Sequence, residues 1–225
     1  MKILFNDVIQ YSDANDALKS PSLADIFILN SSNEINFNSS YPINSIGIGN
    51  FNGSIINISL IDENDIQYDF VINYEQNGLY VLQKELINTK KITITSNGQY
   101  IGRLAAGKYI KLGTSIPKEP TLVSTHQSRK TLSGQVIPGA GGYTYWRMSL
   151  DTRYKIGREA MDEIIAGYRF QIGKSFPFFI EFEEEQNRLP IYRMYATDTN
   201  QSQFSFESST IFYLFSRRFI FEEAF

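Results

Sequence analysis

Cysteine is absent from the 225 residues, and histidine and tryptophan occur once each, at His126 and Trp146. Without cysteine there is no disulfide framework, no thiol nucleophile and no thiolate zinc site. A single imidazole excludes metal centres built on two or three histidines. Net charge is small as well: 21 Lys+Arg against 24 Asp+Glu leave −3, which supplies no positive field for generic nucleic-acid binding. Long apolar runs are missing. The opening MKILFNDVIQYSDAND is interrupted at Asn6 and Asp7, short of the roughly 7–15 unbroken apolar residues of a secretory leader. Nothing later approaches the ~20 residues that span a bilayer. The expectation is a soluble chain with no membrane insertion.

What is present favours pleated sheet. Aromatics make up 14% of the chain, as 17 Phe and 14 Tyr beside the lone Trp, and such residues fit a half-buried strand surface better than a helix. A chain of this length buries about 70% of its unfolded surface, enough for a core without staples.

Composition shifts near residue 100. Asparagine occurs 15 times in residues 1–100 and afterwards only at Asn187 and Asn200, whereas all ten arginines lie from Arg103 onward. The first hundred residues carry 5 Lys against 11 Asp+Glu, and the remainder 16 Lys+Arg against 13 Asp+Glu. Two modules are expected, residues 1–112 and 143–225, joined by an arm over 113–142.

In the first module Ile56, Ile58 and Leu60, and then Ile66, Tyr68, Phe70, Ile72 and Tyr74, alternate with mostly polar neighbours. That period of two predicts half-buried strands, with Asp62-Glu-Asn-Asp65 as a hairpin turn. Tyr80, Leu82, Ile92 and Ile94 continue the pattern. Gly47, Gly49 and Gly53 predict β-bulges or tight bends. An antiparallel β-sandwich of jelly-roll type is expected.

The arm holds Pro117, Pro120 and Pro138, with glycines at 134, 139, 141 and 142, which argues for extended or looped chain. In the second module Trp146, Met148 and Leu150 alternate as a strand. Met161, Ile164, Ile165, Tyr168 and Ile172 fall at helical spacing over 157–172, with acidic residues near the start. Segments 177–182, 192–195, 203–206 and 211–222 read as four further strands. The expected module is an antiparallel sheet or barrel with one packed α-helix.

No segment carries a catalytic signature. The glycine-rich run 134–142 matches no phosphate loop, and Gly167-Tyr-Arg-Phe-Gln-Ile-Gly-Lys-Ser175 has one residue too many between its glycines and lies at a helix end. Glu181, Glu183, Glu184 and Glu185 suggest a carboxylate pair or a metal site, but a strand running into a charged turn produces the same string. Asp62–Asp65 lacks the spacing of a calcium loop. His126 sits among serines with no nucleophile elbow. Tyr143, Tyr145 and Trp146 suggest a sugar platform, but Tyr145 and Trp146 point to opposite faces of a strand. Sugar binding by the Asn-, Asp- and Tyr-rich first module is the better carbohydrate reading. No catalytic, metal or cofactor residue is assigned, and an enzyme is not expected.

Arginine interleaved with aromatics is the composition of protein–protein interface cores. Arg129, Trp146, Arg147, Arg153, Arg217 and Arg218 are the candidate interface residues.

The order of strand, amphipathic helix and antiparallel strands in the C-terminal part resembles the shared fold of tailed-bacteriophage tail-tube and distal-tail proteins. The residues that carry the resemblance are Tyr143-Thr-Tyr-Trp-Arg-Met-Ser-Leu-Asp151, the helix ending near Ile172, Phe176-Pro-Phe-Phe-Ile-Glu-Phe182 and the close Ser-Arg-Arg-Phe-Ile-Phe-Glu-Glu-Ala-Phe225. A β-sandwich attached to such a module is also similar to distal-tail proteins. The resemblance implies a virion structural protein, assembled in the host cytoplasm into a homo-oligomeric ring, expected to be hexameric, that joins the tail tube to a tip or fibres. Its implied partners are other copies of itself and other phage tail proteins, with the sandwich binding either a neighbouring tail protein or a host-surface glycan. The alternative is a carbohydrate-binding β-sandwich that forms no ring.

Overall fold

The computed structural model describes residues 2–4, 6–111, 121–124, 129–130, 136–137, 144–156, 177–182, 192–198, 205–208 and 213–223. The helix expected over 157–172 lies outside the described residues, as do His126, Tyr143 and Glu183–Glu185.

The fold is mainly β. In chain order the first half contributes β1 (Lys2–Leu4), a 3-10 turn (Val8–Tyr11), the four-residue helix α1 (Asp16–Lys19), β2 (Phe27–Ile28), β3 (Asn33–Ile43), β4 (Ser45–Phe51), β5 (Ile55–Asp62) and β6 (Gln67–Asn73). It continues with β7 (Gly78–Val81), β8 (Ile87–Ser96), β9 (Tyr100–Gly107) and β10 (Ile110–Lys111). The second half contributes β11 (Thr121–Ser124), β12 (Arg129–Lys130), β13 (Val136–Ile137), β14 (Thr144–Ile156), β15 (Phe178–Phe182), β16 (Tyr192–Asp198), β17 (Ser205–Ser208) and β18 (Tyr213–Glu223).

These strands form three antiparallel sheets and one two-stranded ribbon. One four-stranded sheet runs β3-β8-β5-β6 and another β2-β9-β4-β7. The eight-stranded sheet runs β10-β1-β15-β16-β18-β14-β11, with β17 also on β18, and β12 pairs β13 as the ribbon.

The two four-stranded sheets share one hydrophobic core. Ile35, Ile56, Ile58, Leu60, Ile72, Ile92 and Ile94 from the first meet Ile46, Ile48, Ile101 and Leu104 from the second. The alternation in β5, β6 and β8 is the period-two pattern of the sequence. The β5–β6 turn falls at Glu63–Asp65, where buried Asp62 accepts from the backbone N–H of Asn64 (2.8 Å) and Ile66 (2.9 Å). That Asx-type bonding gives the carboxylate at this position a structural role in the turn.

Gly47 and Gly49 depart from expectation. The pairing of β4 with β9 keeps one register from Ser45–Gly107 to Phe51–Ile101, so neither glycine marks a bulge. Their role is close approach: a Cβ at Gly47 would lie 2.1 Å from Phe179 Cδ2, and one at Gly49 would lie 2.5 Å from Leu23 Cδ2. β4 is therefore buried on both faces. Ile46 and Ile48 enter the shared core, while the opposite face meets a second cluster of Leu4, Leu23, Leu79, Ala105 and Phe179. Gly53 does sit at a turn, where a Cβ would lie 2.4 Å from the Phe51 ring and 2.7 Å from the Gly98 backbone.

The expected module boundary at 112 is not the boundary of the sheets. β1, at the start of the chain, lies between β10 and β15: Ile3 is opposite both Ile110 and Ile180, and Lys2 is opposite Glu181. The eight-stranded sheet thus takes its strands from both ends of the sequence, and the two four-stranded sheets are inserted after its first strand. Within the 113–142 arm, β11 joins this sheet through β14, and β12 and β13 form the separate ribbon.

Candidate interaction surfaces

Among the described residues the longest pairing is that of β14 with β18, continuous from Arg147–Glu222 to Ile156–Tyr213. On the other side of β18, β17 covers Tyr213–Ser216 and β16 covers Phe221–Glu223. Four of the six candidate interface residues lie on this ladder. Arg147 is opposite Glu222, Arg153 opposite Ser216, Arg217 opposite Thr152 and Arg218 opposite Asp151. Cross-strand partners share a face and neighbours alternate. The positions of Arg147, Asp151, Arg153 and Arg218 therefore fall on one face, in which each of two arginines has a carboxylate residue opposite. Arg217 and Trp146 fall on the other. Trp146 is opposite Leu122 where β11 joins, and Arg129 is on the β12–β13 ribbon opposite Ile137. By register the six positions divide between the two faces of the β14 strand with its partners and the β12–β13 ribbon. Arg147 is exposed, and its neighbour Tyr145 is half-buried.

Two ion pairs, one partly and one fully buried, hold the first residues in place. Lys2 Nζ lies 2.8 Å from Glu181 Oε1, with side-chain exposures of 13% and 5%, and 5.7 Å from the centre of the Tyr109 ring. Glu181, a sequence candidate for a carboxylate pair, is occupied in holding β1 to β15. Asp7 pairs with Arg103. Its Oδ1 also accepts from the N–H of Ile9 (3.0 Å) and Ala106 (3.1 Å), and Arg103 Nη1 donates to the Leu18 carbonyl (2.9 Å). This network ties the 3-10 turn and α1 to β9. Among the described residues no group of three or more Asp, Glu or His could hold a metal, and no helix is long and apolar enough to cross a membrane.

The first module carries an aromatic pair that the sequence reading missed. Tyr11, exposed, stacks on Tyr41 with ring centres 5.9 Å apart, and Phe37 meets Tyr41 edge-on at 5.5 Å. On the same two segments Asp13 accepts from the Asn36 backbone N–H (2.7 Å) and side chain (2.9 Å). The Asn36 side chain foremost, with its backbone N–H and Lys19, holds the Asp13 carboxyl below the usual carboxylate range. Tyr11 and Tyr41 lie thirty positions apart and meet because the Ser12–Phe37 bridge brings their segments together, a long-range contact with no local signal. No protein-family model matches the chain, and no curated protein or solved structure matches it.

Proposed function

We propose that this protein is a structural subunit of a bacteriophage tail or baseplate, of the distal-tail or tail-tip ring type. On this reading the eight-stranded sheet is the tail-tube-like, ring-forming module. The two four-stranded sheets are a jelly-roll-like β-sandwich that projects from it towards a neighbouring tail protein or a host-surface glycan. The observation that carries the reading is the composition of the eight-stranded sheet, which the first strand of the chain and the long β14–β18 ladder complete together. A module built this way stays whole while its insert projects, and β10 and β11, its outermost strands among the described residues, are the edges that would meet adjacent copies. The test is native mass spectrometry with negative-stain imaging of the full chain, alone and mixed with companion tail proteins. Rings, hexameric in copy number, are expected. A chain that stays single under both conditions and is absent from purified particles overturns the reading.

The Tyr11–Tyr41 pair with Asp13 and Asn36 favours a second reading, a carbohydrate-binding module without ring assembly. Stacking surface beside hydrogen-bonding side chains is what a sugar ring requires. Glycan-array binding that is lost in Tyr11→Ala, from a protein that forms no ring, would favour it.

A further inference from the structure

The two edges of the β3-β8-β5-β6 sheet differ in kind. β3 contains Pro42 and loses register between Asn36 and Tyr41, devices that discourage another strand from pairing. β6 has none of them. It runs seven residues, Gln-Tyr-Asp-Phe-Val-Ile-Asn, without proline or lysine, and in one register with β5 from Ile55–Asn73 to Ile61–Gln67.

Backbone direction along β6 is set at its ends. The Ile66 carbonyl accepts from Asp62 N–H (3.0 Å), and Tyr74 N–H donates to the Ser54 carbonyl (2.8 Å). Even-numbered residues therefore direct their backbone groups to β5. Gln67, Asp69, Val71 and Asn73 direct theirs outward, and no described strand pairs with that side. All four are exposed, Val71 by 68%. On the core side, Tyr68 and Phe70 are only half-buried at the rim, which leaves apolar surface for a further strand to cover.

We propose that β6 is a homotypic docking edge, where a second copy of this chain adds its own β6 antiparallel about a two-fold axis at Phe70. That register opposes no like charges and sets Phe70 against its own copy. Gln67 faces Asn73 and Asp69 faces Val71 of the other copy as hydrogen-bonded pairs, using every outward backbone group. Phe70 faces Phe70 as a non-hydrogen-bonded pair, where side chains approach most closely. Tyr68 faces Ile72 on the core side. A register centred on Asp69 would oppose two carboxylates directly, which is unfavourable. The pairing joins two four-stranded sheets into one of eight strands. It does not depend on ring formation: without rings it pairs single chains, and with rings it pairs one ring with another.

Sedimentation velocity and native mass spectrometry of the full chain test it, with circular dichroism as the check on folding. The wild type is expected to double its basic particle as concentration rises. Val71→Pro removes an outward N–H without touching the β5 ladder and is expected to abolish the doubling. Val71→Asp places a carboxylate opposite Asp69 at two symmetry-related positions, and is expected to weaken association about tenfold. Adding Asp69→Lys to Val71→Asp restores opposite charges and is expected to restore the doubling. A wild type that never doubles overturns the proposal, and so does doubling that persists in folded Val71→Pro and Val71→Asp. If Val71→Pro impairs only binding to a companion protein, β6 docks a foreign strand and homotypic pairing is wrong. Loss of rings with doubling intact defeats the ring reading alone.

Discussion

The Phe179 ring of β15 occupies the space that a side chain at Gly47 of β4 would need, with Cδ2 2.1 Å from the position of the missing Cβ. Residues 132 positions apart are thereby matched, and this contact joins the inserted sheets to the eight-stranded one. Gly47→Ala is expected to destabilise the protein by about 1–3 kcal/mol through overpacking. Phe179→Ala should cost about 3–5 kcal/mol through the cavity it leaves. In the Phe179→Ala background the added methyl enters vacated space, so the cost of Gly47→Ala should shrink. Urea denaturation of the four proteins measures this cycle. Equal costs for Gly47→Ala in both backgrounds would show that the two residues do not share that space.

The Asp7–Arg103 pair is expected to behave as a buried unit, since the residues are 1% and 4% exposed. Asp7→Asn strands the guanidinium, and Arg103→Met strands a carboxylate. Each should cost about 3–5 kcal/mol, and the double variant should recover a large part of the loss. Arg103→Lys keeps the charge but loses the planar fork that bonds the Leu18 carbonyl and Asp7 through two different nitrogens, so it should retain only part of the stability. Denaturation midpoints at unchanged m report the comparison. Single variants within about 1 kcal/mol of wild type, as for a solvated surface pair, would contradict it.

The sequence made some of this legible. Strands whose outer face meets water announce themselves, and β5, β6 and β8 carry the period of two because only one face of each is buried. β4 does not, since both its faces are covered. Its glycines have a meaning that depends on Phe179, a partner invisible to any local window. β1 is three residues long, too short for periodicity, so its membership of the distant sheet could not be read. Residue type alone singled out the candidate arginines. Their division between two faces of the β14–β18 ladder follows from register, which requires knowing the partner strand. Tyr11 and Tyr41 became a pair only through the Ser12–Phe37 bridge.

Tyr74 provides an alkaline probe of the first module. Burial foremost, opposed by a hydrogen bond from the Phe51 N–H, pushes its phenol up to about 12, against about 10 for a free side chain. Its O–H donates to Asn77 Oδ1 at 2.7 Å. Between about pH 10 and 12 the unfolded chain releases this proton while the folded chain retains it, so folding stability falls as pH rises through that window. Spectrophotometric titration should show one phenolate appearing near the upper end that is missing in Tyr74→Phe. The alkaline decline in melting temperature should be shallower in that variant. An identical decline in both would mean that Tyr74 is not the linked group.

The Lys2–Glu181 pair is expected to control β1 without affecting the core of the inserted sheets. Ile3 and Leu4 are 0% and 1% exposed, so β1 has apolar anchors of its own, but at three residues it forms few backbone bonds. Glu181→Gln keeps an acceptor for Lys2 and removes the charge, at a cost of about 1.5–3 kcal/mol for a charge-assisted bond. That loss should appear locally, because none of the residues of the shared core belongs to β1 or β15. Hydrogen exchange is expected to accelerate at β1, β10 and β15 and to stay unchanged at β5 and β8, the pattern of a sub-global opening. Uniform acceleration across all sheets would mean that β1 unfolds only with the whole protein. No acceleration at β1 would mean that its apolar anchors suffice and the ion pair is dispensable.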